Sequence, residues 1–414
     1  MQPIDDDPES DAEHNTIALR ACSSYLEFRL TEFATNLRWS GIRGAHDCTV
    51  IFMSHVPGFF HSKRVIVTGG AGSVGTELVN QLLGLQAALV RIIDNNESAL
   101  FEVGKRFGGD SRCETLFCDI RDDYELNRVF SGMDICLHAA GLKHVPFCED
   151  SPFSAVQTNI VGTQQVIRAS LRNRLMRVLF TSSDKAVNPT NVMGTSKLMA
   201  ERLFTAANAL SEGNHRCIFS ATRFGNVAGS AGSVIPLFVD QIKEGNDVTL
   251  TDHRMTRFVM TLEDAARMVI ESLAWARGGE IFITKMPVLS IADLARVIIR
   301  LVAPLYGRQA SKVRIKEVGP RPGEKMWEEL NTEEEVRRTY ELQRYLVVLP
   351  ALRNYYEPID YVYEGQELKP CERIYHSNNE MPMTEAQIES FLIQPGVFSG
   401  EVRNRLGLNV RGAA

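Results

Sequence analysis

Two periods of hydrophobic and polar positions alternate along much of this chain. The β-branched run Arg64–Thr68 ends in glycines, and a helical pattern follows through Leu83. Leu89–Asp94 reads as a second strand, Thr115–Asp119 as a third and Asp134–Ala140 as a fourth. Val178–Ser183 and Cys217–Phe224 read as the fifth and sixth, with helix-like stretches between them. Strands alternating with helices predict βαβ units, hence a parallel sheet covered on both faces. After Phe224 the pattern is less regular, which is where a second, smaller lobe is expected. Further on, the pattern predicts a charged helix from Thr332 to about Leu346 and then a tyrosine-rich loop. A last helix is opened by the capping box Thr384 to Gln387. Near the start, the near-helical spacing of Leu19, Cys22, Tyr25, Leu26, Phe28, Leu30, Phe33 and Leu37 predicts an amphipathic helix over Thr16–Trp39.

Composition narrows the function. With 414 residues, 44% of them hydrophobic, the chain buries a large core. A net charge of −6 with both signs interspersed argues against a nucleic-acid binder, which needs a basic face. The eight cysteines form no CxxC pair and the nine histidines no ligand pattern, so neither structural zinc nor another metal is expected. Such cysteine usage fits a reducing compartment. No apolar run approaches the ~18 residues that span a bilayer. The opening MQPIDDDPESDAEH is acidic where a signal peptide is basic, so it reads as a disordered tail on a cytoplasmic protein without a membrane partner.

The first strand runs into Gly69-Gly70-Ala71-Gly72-Ser73-Val74-Gly75. Three glycines at spacing three, between a strand and a helix, let backbone N–H groups approach a pyrophosphate at a helix start. The expected architecture is therefore a Rossmann doubly wound sheet with a smaller C-terminal substrate-binding lobe. Asp94, closing the second strand, is placed to accept both hydroxyls of an adenosine ribose and would repel a 2′-phosphate, favouring NAD over NADP. Asp119, at the end of the third strand, reads equally as an adenine contact or a loop cap. The domain plan is an N-terminal extension (1–62), a dinucleotide domain (63–224), a substrate lobe with returning Rossmann elements (225–330) and a C-terminal extension (331–414).

Five ordered segments then carry a resemblance. They are Ser182-Ser183-Asp184-Lys185-Ala186-Val187-Asn188-Pro189 with its continuation to Gly194, His138-Ala139-Ala140-Gly141-Leu142-Lys143-His144-Val145-Pro146, Arg223-Phe224-Gly225-Asn226-Val227 with Gly232–Pro236, Met255–Phe258, and Arg321-Pro322-Gly323-Glu324-Lys325. The chain resembles the nucleotide-sugar 4,6-dehydratases of the polysaccharide-biosynthesis type. These belong to the extended short-chain dehydrogenase/reductase class and include UDP-N-acetylglucosamine 4,6-dehydratases. The likeness spans about Lys63 to Leu330 and weakens beyond. Long members of the family carry membrane-spanning helices ahead of the catalytic part, which this chain is expected to lack.

The resemblance implies a nucleotide-sugar substrate, bound NAD, and a homo-oligomer, dimer or hexamer. It implies cofactor contacts at Gly69, Gly72, Ser73, Val74, Gly75, Asp94, Asp119, Ile120, Ala139 and Lys197. It implies that Asp184 protonates the departing C6 oxygen, that Lys185 removes the C5 proton, and that Lys197 holds the nicotinamide ribose. Ser183 keeps a hydroxyl where many relatives have threonine. Arg257 and Arg321 suit the diphosphate, because guanidinium binds phosphate bidentately. Asn226 is a donor to the diphosphate and Glu324 an acceptor for ribose hydroxyls. Lys143 reads as a sugar contact or a structural residue. Met193 departs from the wider class, which has a proton-accepting tyrosine there; a thioether exchanges no proton. The C4 hydroxyl base is then Asp184, the better acceptor, or Ser183. Two other functions stay open: a C4 epimerase, against which the Asp184–Lys185 pair argues, and a silent NAD-binding scaffold, for which Met193 is the sole support.

Overall fold

The run Arg64–Thr68 forms strand β1, its first residue exposed and the next four buried. In the computed structural model the described residues are 56, 58–210, 215–230, 232–320, 323–351 and 359–408. The helix expected over Thr16–Trp39 and the residue Arg321 lie outside them. Helix α1 (Ser73–Gly84) follows β1, then β2 (Leu89–Asp94), α2 (Glu97–Phe107), β3 (Cys113–Phe117), α3 (Asp123–Phe130) and β4 (Ile135–His138). After short turns and a π-helical segment, Val156–Gly162, come α4 (Thr163–Arg172), β5 (Arg177–Ser183), α5 (Val192–Ala207) and β6 (Ile218–Phe224).

Strands β3-β2-β1-β4-β5-β6 lie side by side in that order, each pair parallel. This is the doubly wound order, in which the chain reverses direction across the sheet between β1 and β4. Val65, Val67, Ile92, Leu137 and Leu179 of the sheet pack with Leu78 and Leu82 of α1 and with Ala266, Val269 and Leu273 of a later helix.

The second lobe starts with β7 (Asn226–Val227), α6 (Val234–Lys243), β8 (Val248–Leu250) and β9 (Thr256–Met260). Helix α7 (Leu262–Trp275) and β10 (Ile281–Thr284) return to the large sheet, where β10 pairs parallel with β6. Next come β11 (Val288–Ser290), α8 (Ile291–Val302) and β12 (Ile315–Glu317). Phe238 and Ile242 of α6, Leu294 and Ile298 of α8, and Ile388 and Leu392 near the C-terminus make a second core.

The helix expected from Thr332 to Leu346 is one turn long, Glu333–Val336. Its capping box closes that turn. The chain then turns back as β13 (Thr339–Glu341) and β14 (Tyr345–Val348), and β14 pairs antiparallel with β10. Four consecutive buried residues, Tyr345–Val348, gain more from an open sheet edge than from a surface helix. With β15 (Lys369–Pro370) the sheet reaches ten strands. The capping box Thr384–Gln387 opens helix α9 (Glu385–Leu392) as expected.

Candidate active site

The glycine turn shows why its three glycines are needed. Gly69 has φ +66°, and a Cβ there would lie 2.6 Å from Ala140 N. A Cβ on Gly75 would lie 2.3 Å from Gly69 O. Gly72 caps α1 without a side-chain bond, so the first-turn N–H groups of Ser73 and Val74 face no capping oxygen. A loop this close to the β4 end, opening a helix, fits a pyrophosphate. Asp94 closes β2 and accepts from Ala71 N–H at 3.1 Å and Asn96 N–H at 2.9 Å, tying the turn to the strand end. Arg121 is held bidentately by Asp119, whose carboxyl it keeps down at about 2. That guanidinium is committed to Asp119. Asn95 also donates to Asp119, at 3.1 Å. Ile120 is buried, and its side chain fills the space a Cβ on Gly162 would take. Ala139 lies beside Gly69, its N–H bonded to Thr68 O at 3.1 Å.

At the carboxyl end of β5 the chain makes a single 3-10 turn, Asp184–Ala186. Ser183 caps it: its hydroxyl donates to Asp184 Oδ1 at 2.5 Å and accepts the Lys185 N–H at 3.3 Å. Asp184 is 3% exposed. Lys185 Nζ sits 3.1 Å and 3.2 Å from its two carboxylate oxygens. The lysine beside it, with hydrogen bonds from its neighbours, holds Asp184 below the usual carboxylate range against the opposing effect of burial. The same pairing holds Lys185 charged.

Helix α5 delivers Met193 and Lys197 on one face. Gly194 permits the approach, because a Cβ there would lie 2.2 Å from Lys185 O. Lys197 Nζ donates to Thr181 O at 3.1 Å and lies over the Phe180 ring; burial brings its pKa down to about 8. Met193 is buried with Cys148 and Ala155.

The loop after Asp184–Lys185 is clamped to the Gly323–Lys325 segment. Lys325 Nζ donates to Val187 O at 2.7 Å, while Thr190 and Asn191 donate to Gly323 O at 3.0 and 3.2 Å. Arg257 reaches the same segment. Its guanidinium donates to Lys325 O at 2.9 Å and Met326 O at 3.1 Å, and lies 3.8 Å from Glu324. Asn226 Nδ2 donates to Glu328 at 2.8 Å. Lys143 is exposed on the segment after β4. Of the expected substrate residues, Asn226, Arg257 and Glu324 are thus brought to one rim, with Arg257 and Asn226 engaged by the protein itself.

Three polar residues join the site that sequence reasoning did not single out. His138 is buried between Thr68 Oγ1, 2.7 Å from Nδ1, and Thr163 Oγ1, 3.1 Å from Nε2. Thr163 donates to Asn159 O, so it accepts from Nε2–H, and Nδ1 takes the Thr68 proton. Asn159, in the π-helical segment, bonds both backbone groups of Leu142 and the Ser196 hydroxyl. Glu328, 4% exposed, faces Asp184 and Lys185. The only hint was the acidic pair Glu328–Glu329 just past the Arg321–Lys325 segment. Among the described residues, Asp252, His253 and Glu317 bring potential metal ligands together, but Arg254 holds the Asp252 carboxylate at 2.7 Å and the other two are exposed.

The parallel sheet, the glycine turn and the acid–lysine pair at the sheet's carboxyl edge define a nucleotide-dependent enzyme of the short-chain dehydrogenase/reductase class. Residues 65–350 match the family model described as polysaccharide biosynthesis protein, and the chain belongs to that family. It is 46% identical over 296 residues to an uncharacterized membrane protein of Methanocaldococcus jannaschii, covering 71% of this chain and 88% of that one. It is 34% identical over 337 residues to a UDP-N-acetylglucosamine 4,6-dehydratase (inverting) of Campylobacter jejuni, covering 80% and 97%. A UDP-glucose 4-epimerase of Rickettsia bellii is 33% identical over 354 residues, covering 83% and 99%. Among solved structures, Pen from Bacillus thuringiensis superposes with a TM-score of 0.74 at 38% identity, over 81% of this chain and 98% of Pen. The dTDP-glucose 4,6-dehydratase DesIV of Streptomyces venezuelae, with NAD bound, gives 0.57 at 25% identity over 64% and 86%. Among the described residues no helix is long and apolar enough to cross a membrane.

Proposed function

We propose that this chain is an NAD-dependent nucleotide-sugar 4,6-dehydratase acting in the cytoplasm, with UDP-N-acetylglucosamine as its substrate and a UDP-4-keto-6-deoxy sugar as its product. The observation that carries the reading is the buried Asp184 bonded to Lys185 at the carboxyl end of β5, with Lys197 donating to Thr181 O of the same strand. An epimerase moves only the C4 hydrogen and has no use for an acid–base pair at C5 and C6. The glycine turn and Asp94 are the groups that would hold the dinucleotide, and a carboxylate at the ribose favours NAD. When bound, NAD supplies the hydride acceptor at C4 and the donor at C6.

The protein's own residues do the proton work. Asp184 takes the C4 hydroxyl proton; it is an anion held ready by Lys185, with the Ser183 hydroxyl bound to one oxygen. The resulting ketone acidifies C5–H, which Lys185 removes. Asp184 then gives its proton to the C6 oxygen, which leaves as water. Lys197 fixes the nicotinamide ribose, and Arg257 and Glu324 form the diphosphate and ribose rim, with Arg321 the further cation that the sequence assigns to the diphosphate. Purified protein incubated with NAD and UDP-N-acetylglucosamine, followed by mass spectrometry and NMR, tests this. Loss of one water supports dehydration. An isomer of unchanged mass supports the epimerase reading, which the Rickettsia relative keeps in play. Asp184→Asn and Lys185→Ala each abolish water loss while NAD binding survives.

A further inference from the structure

The chemistry above leaves a gap at Lys185. The amine must be neutral when it removes the C5 proton, yet its neighbours keep it an ammonium. Asp184 cannot relieve it, because Asp184 receives the C4 hydroxyl proton first. One further base is within reach. Glu328 Oε1 lies 3.8 Å from Lys185 Nζ, and its carboxyl group faces that of Asp184.

Glu328 is held in place. Oε1 accepts from Asn226 at 2.8 Å and lies 3.4 Å from Arg257 Nε; Oε2 accepts from the Phe258 N–H at 3.0 Å. The Glu328 N–H itself donates to Ser377 Oγ at 2.9 Å. Two hydrogen bonds fill two of the four acceptor sites of the carboxylate, so room for a proton is left. A second carboxylate buried against Asp184 is costly unless it is used.

We propose that Glu328 is a positioning residue that takes the Lys185 ammonium proton once Asp184 has been protonated by the substrate, freeing the amine to act at C5. The inference rests on the dehydratase reading. In the competent form of the resting site, which gains as pH rises, Asp184 and Glu328 are carboxylates and Lys185 an ammonium. The C4 O–H bond breaks toward Asp184 as the C4 hydride leaves to the cofactor. A Lys185 N–H proton moves to Glu328. The C5–H bond breaks toward the amine, its electron pair forms C5=C6, and the C6–O bond breaks as Asp184 protonates the oxygen, releasing water. Hydride returns to C6, C5 takes its proton from Lys185, and Glu328 returns its proton to the amine. One water has left and all three side chains are as they began.

Burial and the facing Asp184 push the Glu328 carboxyl up to about 8, against the opposing charges of Lys185 and Arg257. Lys325, whose amine also faces this cluster, is the remaining charged neighbour. Glu328 thus changes protonation within the working range, and the competent, deprotonated form gains as pH rises. Water loss should fall on the acid side with this group.

The test compares wild type, Glu328→Gln and Glu328→Asp with NAD and UDP-N-acetylglucosamine in deuterated water. The expected result for Glu328→Gln is reduced-cofactor absorbance in a single turnover close to wild type. Its C5 deuterium uptake and water loss should fall by about 100-fold, the scale of one proton-transfer group. The acid limb of the pH profile should flatten. Infrared difference spectra of the NAD-loaded protein without sugar should show a protonated-carboxyl band titrating with pH, absent in Glu328→Gln. Glu328→Asp, which restores a carboxyl, should recover part of the C5 exchange with a displaced acid limb. Unchanged C5 exchange and acid limb in Glu328→Gln would overturn the proposal. Should Glu328→Gln fail to fold, an unshifted limb and band in Glu328→Asp would do so equally. If wild type releases no water from the sugar, the dehydratase reading fails instead, and the infrared band still reports whether Glu328 exchanges a proton.

Discussion

The Met193 side chain, 2% exposed, packs with Cys148, Ala155, Leu142, Val145 and Val192. It shapes the wall that sets α5 against the segment 142–155. Met193→Leu, similar in volume and equally inert, should keep most of the turnover and cost less than about 1.5 kcal/mol of stability. Steady-state rates and urea midpoints check both. His138 supplies a second residue-scale prediction. Burial, with Lys197 adding repulsion, brings its pKa from 6.5 to about 3. The folded value is depressed, so the stability it contributes is present above 6.5 and is lost as pH falls from there toward about 3. The loss approaches about 1.4 kcal/mol per pH unit. Urea midpoints measured from neutral to mildly acidic pH should fall more steeply in wild type than in His138→Gln; equal slopes would remove His138 from the acid response. Asp184, Lys185 and Lys197 were legible in the sequence because they sit inside a recognisable run. His138 and Glu328 were not, because their roles come from partners 25 to 144 positions away, Thr163 and Asp184, which only the fold brings near.

At the scale of elements, β1, the glycine turn and α1 were readable because strand, breaker and helix follow one another locally, each with its own period. The stretch after Thr332 was misread for the opposite reason. Its charges and capping box are local helix signals, while the pull of β10 on Tyr345–Val348 is not local. The glycine turn allows a sharp test. The Cβ of Gly75→Ala would meet the Gly69 backbone oxygen and the Gly70 Cα, at 2.3 and 2.6 Å, and neither can swing aside as a side chain could. The turn must therefore open. Calorimetry should show NAD binding lost, and thermal melts a cost of about 1–3 kcal/mol. Gly84→Ala, at the other end of α1 with nothing within 4 Å, should leave binding intact.

Across the whole molecule, the C-terminal segment is joined to the dinucleotide-binding half through Arg223 on β6. Its guanidinium, 1% exposed, forms paired hydrogen bonds to Glu201 of α5 at 2.8 and 2.7 Å and to Glu335 at 2.7 and 2.9 Å. It also donates to Leu330 O at 3.1 Å. Arg223 holds the Glu335 carboxyl down at about 2 against the effect of burial. Such a triad is not strong evidence of net stabilisation, because desolvating three charges offsets much of their attraction. Removing one member is another matter. Arg223→Met leaves two buried carboxylates facing each other with no cation between them, and should cost about 3–5 kcal/mol in urea unfolding. Replacing Arg223, Glu201 and Glu335 together with apolar residues of similar volume should recover most of that loss. Leu330 lies two positions from Glu328, so the same guanidinium that docks the segment also anchors the chain next to the carboxylate facing Lys185. The triple replacement should therefore separate two effects: stability near wild type, with water loss reduced because Leu330 O has lost its donor. A triple variant as unstable as Arg223→Met would mean that the triad is stabilising in its own right, and full activity in the triple variant would mean that Glu328 is positioned by Asn226, Arg257 and Ser377 alone.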